Sequence, residues 1–177
     1  LDVEPINDAP LFDLTATQVT VIEDVEEFEG TSNYSSLGFA TNIAAGPATA
    51  TDELLTQTST LRFEVVSVSA PELFSAQPAI SPTGELTFHT AQHRNGSSAV
   101  VVRLVDSGPS SPPPNDNDSI LKTFTITITP INDAPQFSLP PAGVTVDEDA
   151  GLISRNGFAT NVRRGPVGTD DENSQSI

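Results

Sequence analysis

The sequence predicts an all-β chain built as a Greek-key β-sandwich of about seven strands, set in a tandem repeat. Three observations carry this. Apolar and polar residues alternate along most ordered stretches, Thr, Val, Ser and Pro are abundant, and helix formers occur in no useful run. The hexapeptide Pro5-Ile6-Asn7-Asp8-Ala9-Pro10 returns unchanged as Pro130-Ile131-Asn132-Asp133-Ala134-Pro135, an offset of 125 residues. Matched blocks follow both copies in order. Val19-Thr20-Val21 with Glu23-Asp24 returns as Val144-Thr145-Val146 with Glu148-Asp149, and Gly38-Phe39-Ala40-Thr41-Asn42 as Gly157-Phe158-Ala159-Thr160-Asn161. The pairs Gly46-Pro47 and Asp52-Glu53 return as Gly165-Pro166 and Asp171-Glu172. Self-similarity at a fixed period marks a repeat array.

Each strand has its own warrant. Residues 18–22 read as the first strand, entered from the Pro-bounded linker, and 37–43 as the second. Residues 61–68 alternate strictly in their first half and read as an interior strand. Residues 74–80 are interrupted by Pro78, which suits an edge. Residues 84–89 and 98–105 read as a hairpin joined through Asn95-Gly96, a favoured turn pair. Residues 122–129 are a period-2 strand running directly into the second linker. Between the last two strands, 107–119 is rich in Ser and Pro and ends in Asn115-Asp116-Asn117-Asp118. It reads as an exposed, semi-rigid loop.

The organisation expected is therefore a final strand of a preceding repeat over 1–5, a complete repeat over 6–130, and the first part of another over 131–177. Residues 59–129 have no counterpart in the second copy. The shorter repeat is expected to be disordered, propped on the first, or completed by strands of another chain, because half a sandwich cannot bury its apolar face. There is no initiating Met, signal peptide or apolar run of membrane length, as expected of a piece of an array.

Composition narrows the function. Acidic residues number 24 against 7 basic, a formal charge of −17, so nucleic acid and anionic membrane are poor partners. Cys is absent, which removes disulfides and thiolate metal sites. Divalent cations remain a means of stiffening joints. Calcium takes six to eight hard oxygens, and Asn132 and Asp133 in the linker, with Glu23, Asp52 and Glu53 in loops, are expected to converge where the linker departs. Asp8, Glu23, Asp24, Asp52 and Glu53 all have counterparts in the second copy. The bland alternative is that these acids are simply solvated.

Enzyme signals are weak. His89 and His93 would share a face only in a helix, which the surrounding strand and turn signals oppose. No Gly-x-Ser-x-Gly elbow or phosphate-cradling glycine loop occurs. Asn33, Asn95 and Asn117 begin glycosylation triplets.

The linker together with Gly38-Phe39-Ala40, Asp52-Glu53, Gly84-Glu85-Leu86-Thr87-Phe88 and Phe124-Thr125-Ile126-Thr127-Ile128-Thr129 resembles bacterial cadherin-like tandem repeats of large secreted surface proteins. That resemblance implies an extracellular location, calcium at the joints, and partnership with neighbouring repeats or other copies of the chain. It matches Glu23 to the glutamate after the first strand. Asp52-Glu53 stands for an Asp-x-Glu without its spacer. Asn132 and Asp133 match linker ligands, Asn7 and Asp8 match them at the upstream joint, and Asp106 resembles the aspartate that reaches that upstream joint. The expected role is a structural or adhesive spacer. The alternatives are a protein- or carbohydrate-binding module, or an accessory domain of a secreted hydrolase.

Overall fold

The computed structural model describes residues 5–23, 34–52, 60–141, 143–167, 172 and 176. The chain divides into two compact units, Leu1–Pro130 and Ile131–Ile177. Residues 1–4 of the expected final strand of a preceding repeat, along with Asp24, Asn33 and Glu53, lie outside the described residues.

Among its described residues the first unit contains nine strands: β1 (Leu11–Leu14), β2 (Gln18–Ile22), β3 (Tyr34–Ser36), β4 (Ala40–Ala44), β5 (Arg62–Val68), β6 (Phe74–Ile80), β7 (Leu86–Thr90), β8 (Gly96–Val105) and β9 (Lys122–Thr129). One sheet runs β2-β9-β8-β5, with β2 and β9 parallel and the other pairs antiparallel. The opposite side is made by β3-β7-β6 and by the β1-β4 pair. The chain changes sheet at Thr15-Ala16-Thr17, between β1 and β2, and again between β5 and β6 and between β7 and β8. These crossings are those of a Greek-key sandwich.

The core follows from the alternation. Val100, Val102 and Leu104 of β8 point inward and are completely buried, on the same sheet face as Phe124, Ile126 and Ile128 of the neighbouring β9 and in one core cluster with Leu86 and Phe88 of β7. Phe39 meets Phe124 with ring centroids 4.8 Å apart, and Phe12 meets Phe63 edge-on at 5.0 Å. Apolar burial of this kind is the main stabilising term of such a unit.

Three sequence expectations change. The strand expected over 37–43 is broken: β3 ends at Ser36, Gly38 takes φ of +68°, and β4 begins at Ala40. With β1, whose four residues are too few for a period-2 signal, the count among the described residues becomes nine. The expected hairpin through Asn95-Gly96 does not form. β7 pairs with β3 and β6 while β8 pairs with β5 and β9, so the turn carries the chain between sheets. Turn chemistry specifies a local reversal and leaves open which strands pair across it. Finally, the loop 107–119 is pinned at its far end: Ser119 is buried, and its Oγ accepts from the Leu104 N–H at 2.8 Å.

One turn is made by a glycine that nothing else could replace. Gly84 has φ of +87°, and a Cβ there would lie 2.1 Å from the Ala40 carbonyl oxygen. The close approach lets the Ala40 N–H donate to the Gly84 carbonyl at 3.0 Å, fastening the β6–β7 turn to the start of β4.

The second unit contains β10 (Gln136–Ser138) and β11 (Thr160–Arg163), an antiparallel pair. Its register repeats the first unit: Leu11↔Ala44 and Asp13↔Thr41 of β1-β4 correspond to Gln136↔Arg163 and Ser138↔Thr160. Residues 143–147, the counterpart of β2, form no strand.

Candidate functional site

The linker residue Asn7 is only 4% exposed, although it lies outside every strand. It is held by the segment that follows β8. Its backbone N–H donates to Asn115 Oδ1 at 2.9 Å, and its carbonyl accepts from the Asp116 N–H at 2.9 Å. Its side-chain Nδ2 donates to the Asp116 carbonyl at 2.7 Å and, more weakly, to Asp106 Oδ1 at 3.3 Å. Space is cut to fit: a Cβ on Gly108 would lie 1.9 Å from Asn7 Oδ1. Only a glycine there admits the amide.

Asp106 stands where β8 leaves the sandwich and is 1% exposed. Burial raises its carboxyl above the usual carboxylate range, and the neighbouring charges of Asp116 and Asp118 push the same way. The Gly108 N–H, donating to Oδ1 at 2.7 Å, and the Asn7 amide pull it back. Asp106 is further fixed by its own N–H, which donates to the Asn117 carbonyl at 3.1 Å. The run Asn115–Asp118 is therefore a docking element for the linker, where the sequence suggested a solvated acidic loop.

Strand direction decides which other acids share this end. Ala44, the last residue of β4, sits opposite Leu11, the first of β1, just after the linker. Arg62, the first residue of β5, sits opposite Val105, and Thr60 Oγ1 bonds Ser107 Oγ at 2.8 Å. The chain between β4 and β5 thus starts and finishes beside Asn7 and Asp106. Exposed Asp52 belongs to that end, together with exposed Asp8.

Glu23 belongs to the other. It follows β2, its N–H donates to the Thr129 carbonyl at 3.0 Å, and its buried carboxylate accepts from Asn95 Nδ2 at 3.3 Å. Asp52, which follows β4, therefore lies toward the entering linker and Glu23 toward the departing one, so their expected convergence is not seen; Glu53 lies outside the described residues. Asn132 and Asp133 belong to the second unit. There the Asp133 N–H donates to Glu172 Oε1 at 2.7 Å, and Glu172 is 2% exposed. Glu172 is the counterpart of Glu53 and Asp133 of Asp8, so in this unit the acid after the β4-like strand meets the linker that precedes it.

In kind, the oxygens of Asp106, Asp116, Asp8 and Asp52 suit a hard cation such as calcium. In number they fall short: among the described residues no three His, Asp or Glu side chains come close enough to share one ion. His89 lies on β7 and His93 in the turn after it, at φ of +53°, so their spacing does not place them on a helical face. No helix among the described residues is long and apolar enough to cross a membrane. The run Asn115–Asp118 was visible in the sequence as alternating Asn and Asp, and Glu172 as the recurrence of Glu53, but neither signals a contact with a linker.

Fold and site together define an all-β sandwich with a linker locked into one end. Comparison with protein-family models found no matching family, and comparison with curated proteins found no match.

Proposed function

We propose that this chain is a structural and adhesive repeat module of a large extracellular surface protein, a calcium-stiffened spacer between neighbouring cadherin-like repeats. The observation that carries the reading is the burial of Asn7. A linker anchored by both its backbone and its amide cannot swivel without giving up several hydrogen bonds, each worth about 0.5–1.5 kcal/mol net. Resistance to bending at the joint is what a spacer requires.

Calcium suits the same end. Asp106 is buried beside other negative charges, and its ionised form is costly there. A cation would offset that cost and favour the docked linker over the loose one, because a ligand bound only by the ordered form stabilises it. Asp106 and Asp116 would contribute oxygens to it, and Asp8 and Asp52 would have to be drawn in on binding, since no three acids are grouped among the described residues without it. The charge of −17 serves solubility and keeps polyanions away.

The test is thermal unfolding of the chain with calcium and with chelator, for wild type, Asp106→Asn and Asp133→Ala. Calcium at about a hundred times its Kd is expected to add about 2.7 kcal/mol, a rise of roughly 5–15 °C in Tm. Asp106→Asn is expected to blunt that rise for the first unit, while Asp133→Ala leaves the first unit's response intact. Coincident melts with calcium and chelator would sink the cation and leave a joint held by hydrogen bonds alone.

A further inference from the structure

The outer face of the sheet β2-β9-β8-β5 differs in character from the rest of the chain. The chain carries a formal charge of −17, yet residues 18–22, 97–101 and 123–129, which make most of this face, include no charged side chain. β9 turns Thr123, Thr125, Thr127 and Thr129 outward, with Thr20 of β2 and Ser97 of β8 on either side of Thr127. The charges of the face lie at one corner and cancel. There Glu64 lies 2.9 Å from Arg62 and 2.7 Å from Arg103, and Arg103 also engages Asp118.

Such a face loses little on being covered. Thr and Val are stiff at χ1, and Ala and Ser are small, so little side-chain freedom is given up. Ser97 Oγ and Thr127 Oγ1 bond each other at 3.2 Å, and Thr129 Oγ1 donates to the Val21 carbonyl at 3.1 Å. These groups keep their partners when water leaves. Apolar area is on offer as well, Ile22 being 44% and Val66 50% exposed. The sheet edges offer less. β5 bulges between Val65 and Ser67, β6 breaks register twice and contains Pro78, and β3 has three residues. Short or irregular edge strands resist edge-to-edge pairing.

We infer that this face is where a second copy of the chain packs, sheet against sheet. Two molecules of charge −17 repel at every acidic surface, so they approach with least opposition through the face whose charges cancel. Packed sheets lie about 10 Å apart with their facing side chains in contact. Four strands about 4.8 Å apart and about six residues long, at about 3.3 Å per residue, offer roughly 400 Å² a side. A stable pair buries about 800 Å² a side. One contact is therefore weak, with a Kd of about 1 mM, and gains strength where tandem units repeat it. The contact is lateral, so it goes beyond a spacer role, and it holds whether or not calcium binds at the joint.

The experiment is sedimentation equilibrium of the full chain at up to about 1 mM, in about 0.05 M and about 0.5 M NaCl. Dimer is expected to form and to be favoured by the higher salt, because salt screens the repulsion between like-charged copies. Thr125→Glu, at the centre of the face, is expected to weaken association at least about tenfold by setting like charges opposite each other. Thr87→Glu, at an outward position on β7 of the other sheet, is expected to leave it unchanged. Because the chain lacks Cys, Thr125→Cys reads the face directly. It is expected to form a disulfide-linked dimer faster than Thr87→Cys, a result that stands even if the Glu variant unfolds. Monomer at both salt concentrations would overturn the inference. So would association that survives in folded Thr125→Glu, which would put the contact on another surface, or equal capture by the two Cys variants.

Discussion

Asn42 explains why a short block of sequence recurs. Its φ is +52° and that of its counterpart Asn161 is +51°, and both sit in the irregular register between paired strands. Asn tolerates the left-handed region better than other non-glycine residues. Its Nδ2 also reaches across to Asp13 Oδ2 at 2.8 Å, as Asn161 Nδ2 reaches Ser138 Oγ at 3.4 Å. The expected result is that Asn42→Val destabilises the first unit by about 2 kcal/mol, through a β-branched residue forced to positive φ. Asn42→Gly is expected to cost less than about 1 kcal/mol, since it loses only an exposed hydrogen bond. Urea unfolding of both variants checks this, and equal losses would refute the backbone explanation. Sequence reading noticed the Gly-Phe-Ala-Thr-Asn block as a repeat marker. That its Asn adopts a left-handed conformation was not legible, because nothing local distinguishes such an Asn from one on a strand.

At the scale of elements, β8 and β5 are tied by charge as well as by the ladder. Glu64 and Arg103 are directly opposite in register, with Arg103 Nη2 2.7 Å from Glu64 Oε2, and Arg103 also engages Asp118. Hydrogen bonds from Arg103 and Arg62 hold the Glu64 carboxyl below its ordinary range. A lowered folded pKa gives stability that is full above the unfolded value and is lost as pH falls through the folded one. Glu64→Gln should therefore lower Tm at about pH 7 and make little difference at about pH 2, where wild type has lost the same contribution. The shift at neutral pH will be small because the pair is partly exposed. A Tm difference that persists undiminished in acid would assign the effect to packing instead. The seven strands expected from alternation lie close to seven observed ones, including β6, where a bulge accommodates Pro78 on an edge strand. The two omitted, β1 and β3, have four and three residues, too few for a period-2 signal to stand out.

At the scale of the whole molecule, burial is shared unequally. Every residue of the main apolar core belongs to the first unit. In the second unit Leu152 is 97% and Val146 52% exposed. Local stability follows buried contact, so exchange protection should divide the chain. Amides of 100–105 and 124–128 are expected to exchange only through cooperative opening of the first unit. Those of 143–153 are expected to exchange within about tenfold of an unstructured peptide. Strong protection of 143–153 in the isolated chain would mean that their apolar side chains are already covered.

Composition and alternation were enough to determine an all-β chain, and the repeated hexapeptide was enough to divide it into a longer and a shorter repeat. These properties are written locally, since side-chain period and turn residues act over a few positions. The sequence also grouped Asn7, Asp8 and Asp106 at the upstream joint, and it placed Asp52 with Glu23 at the departing linker. Only strand direction and pairing, which depend on contacts about a hundred residues apart such as Asn7 with Asp106, decided which acids meet. Tertiary structure alone buried an asparagine in the linker and sent the Asn95-Gly96 turn between sheets.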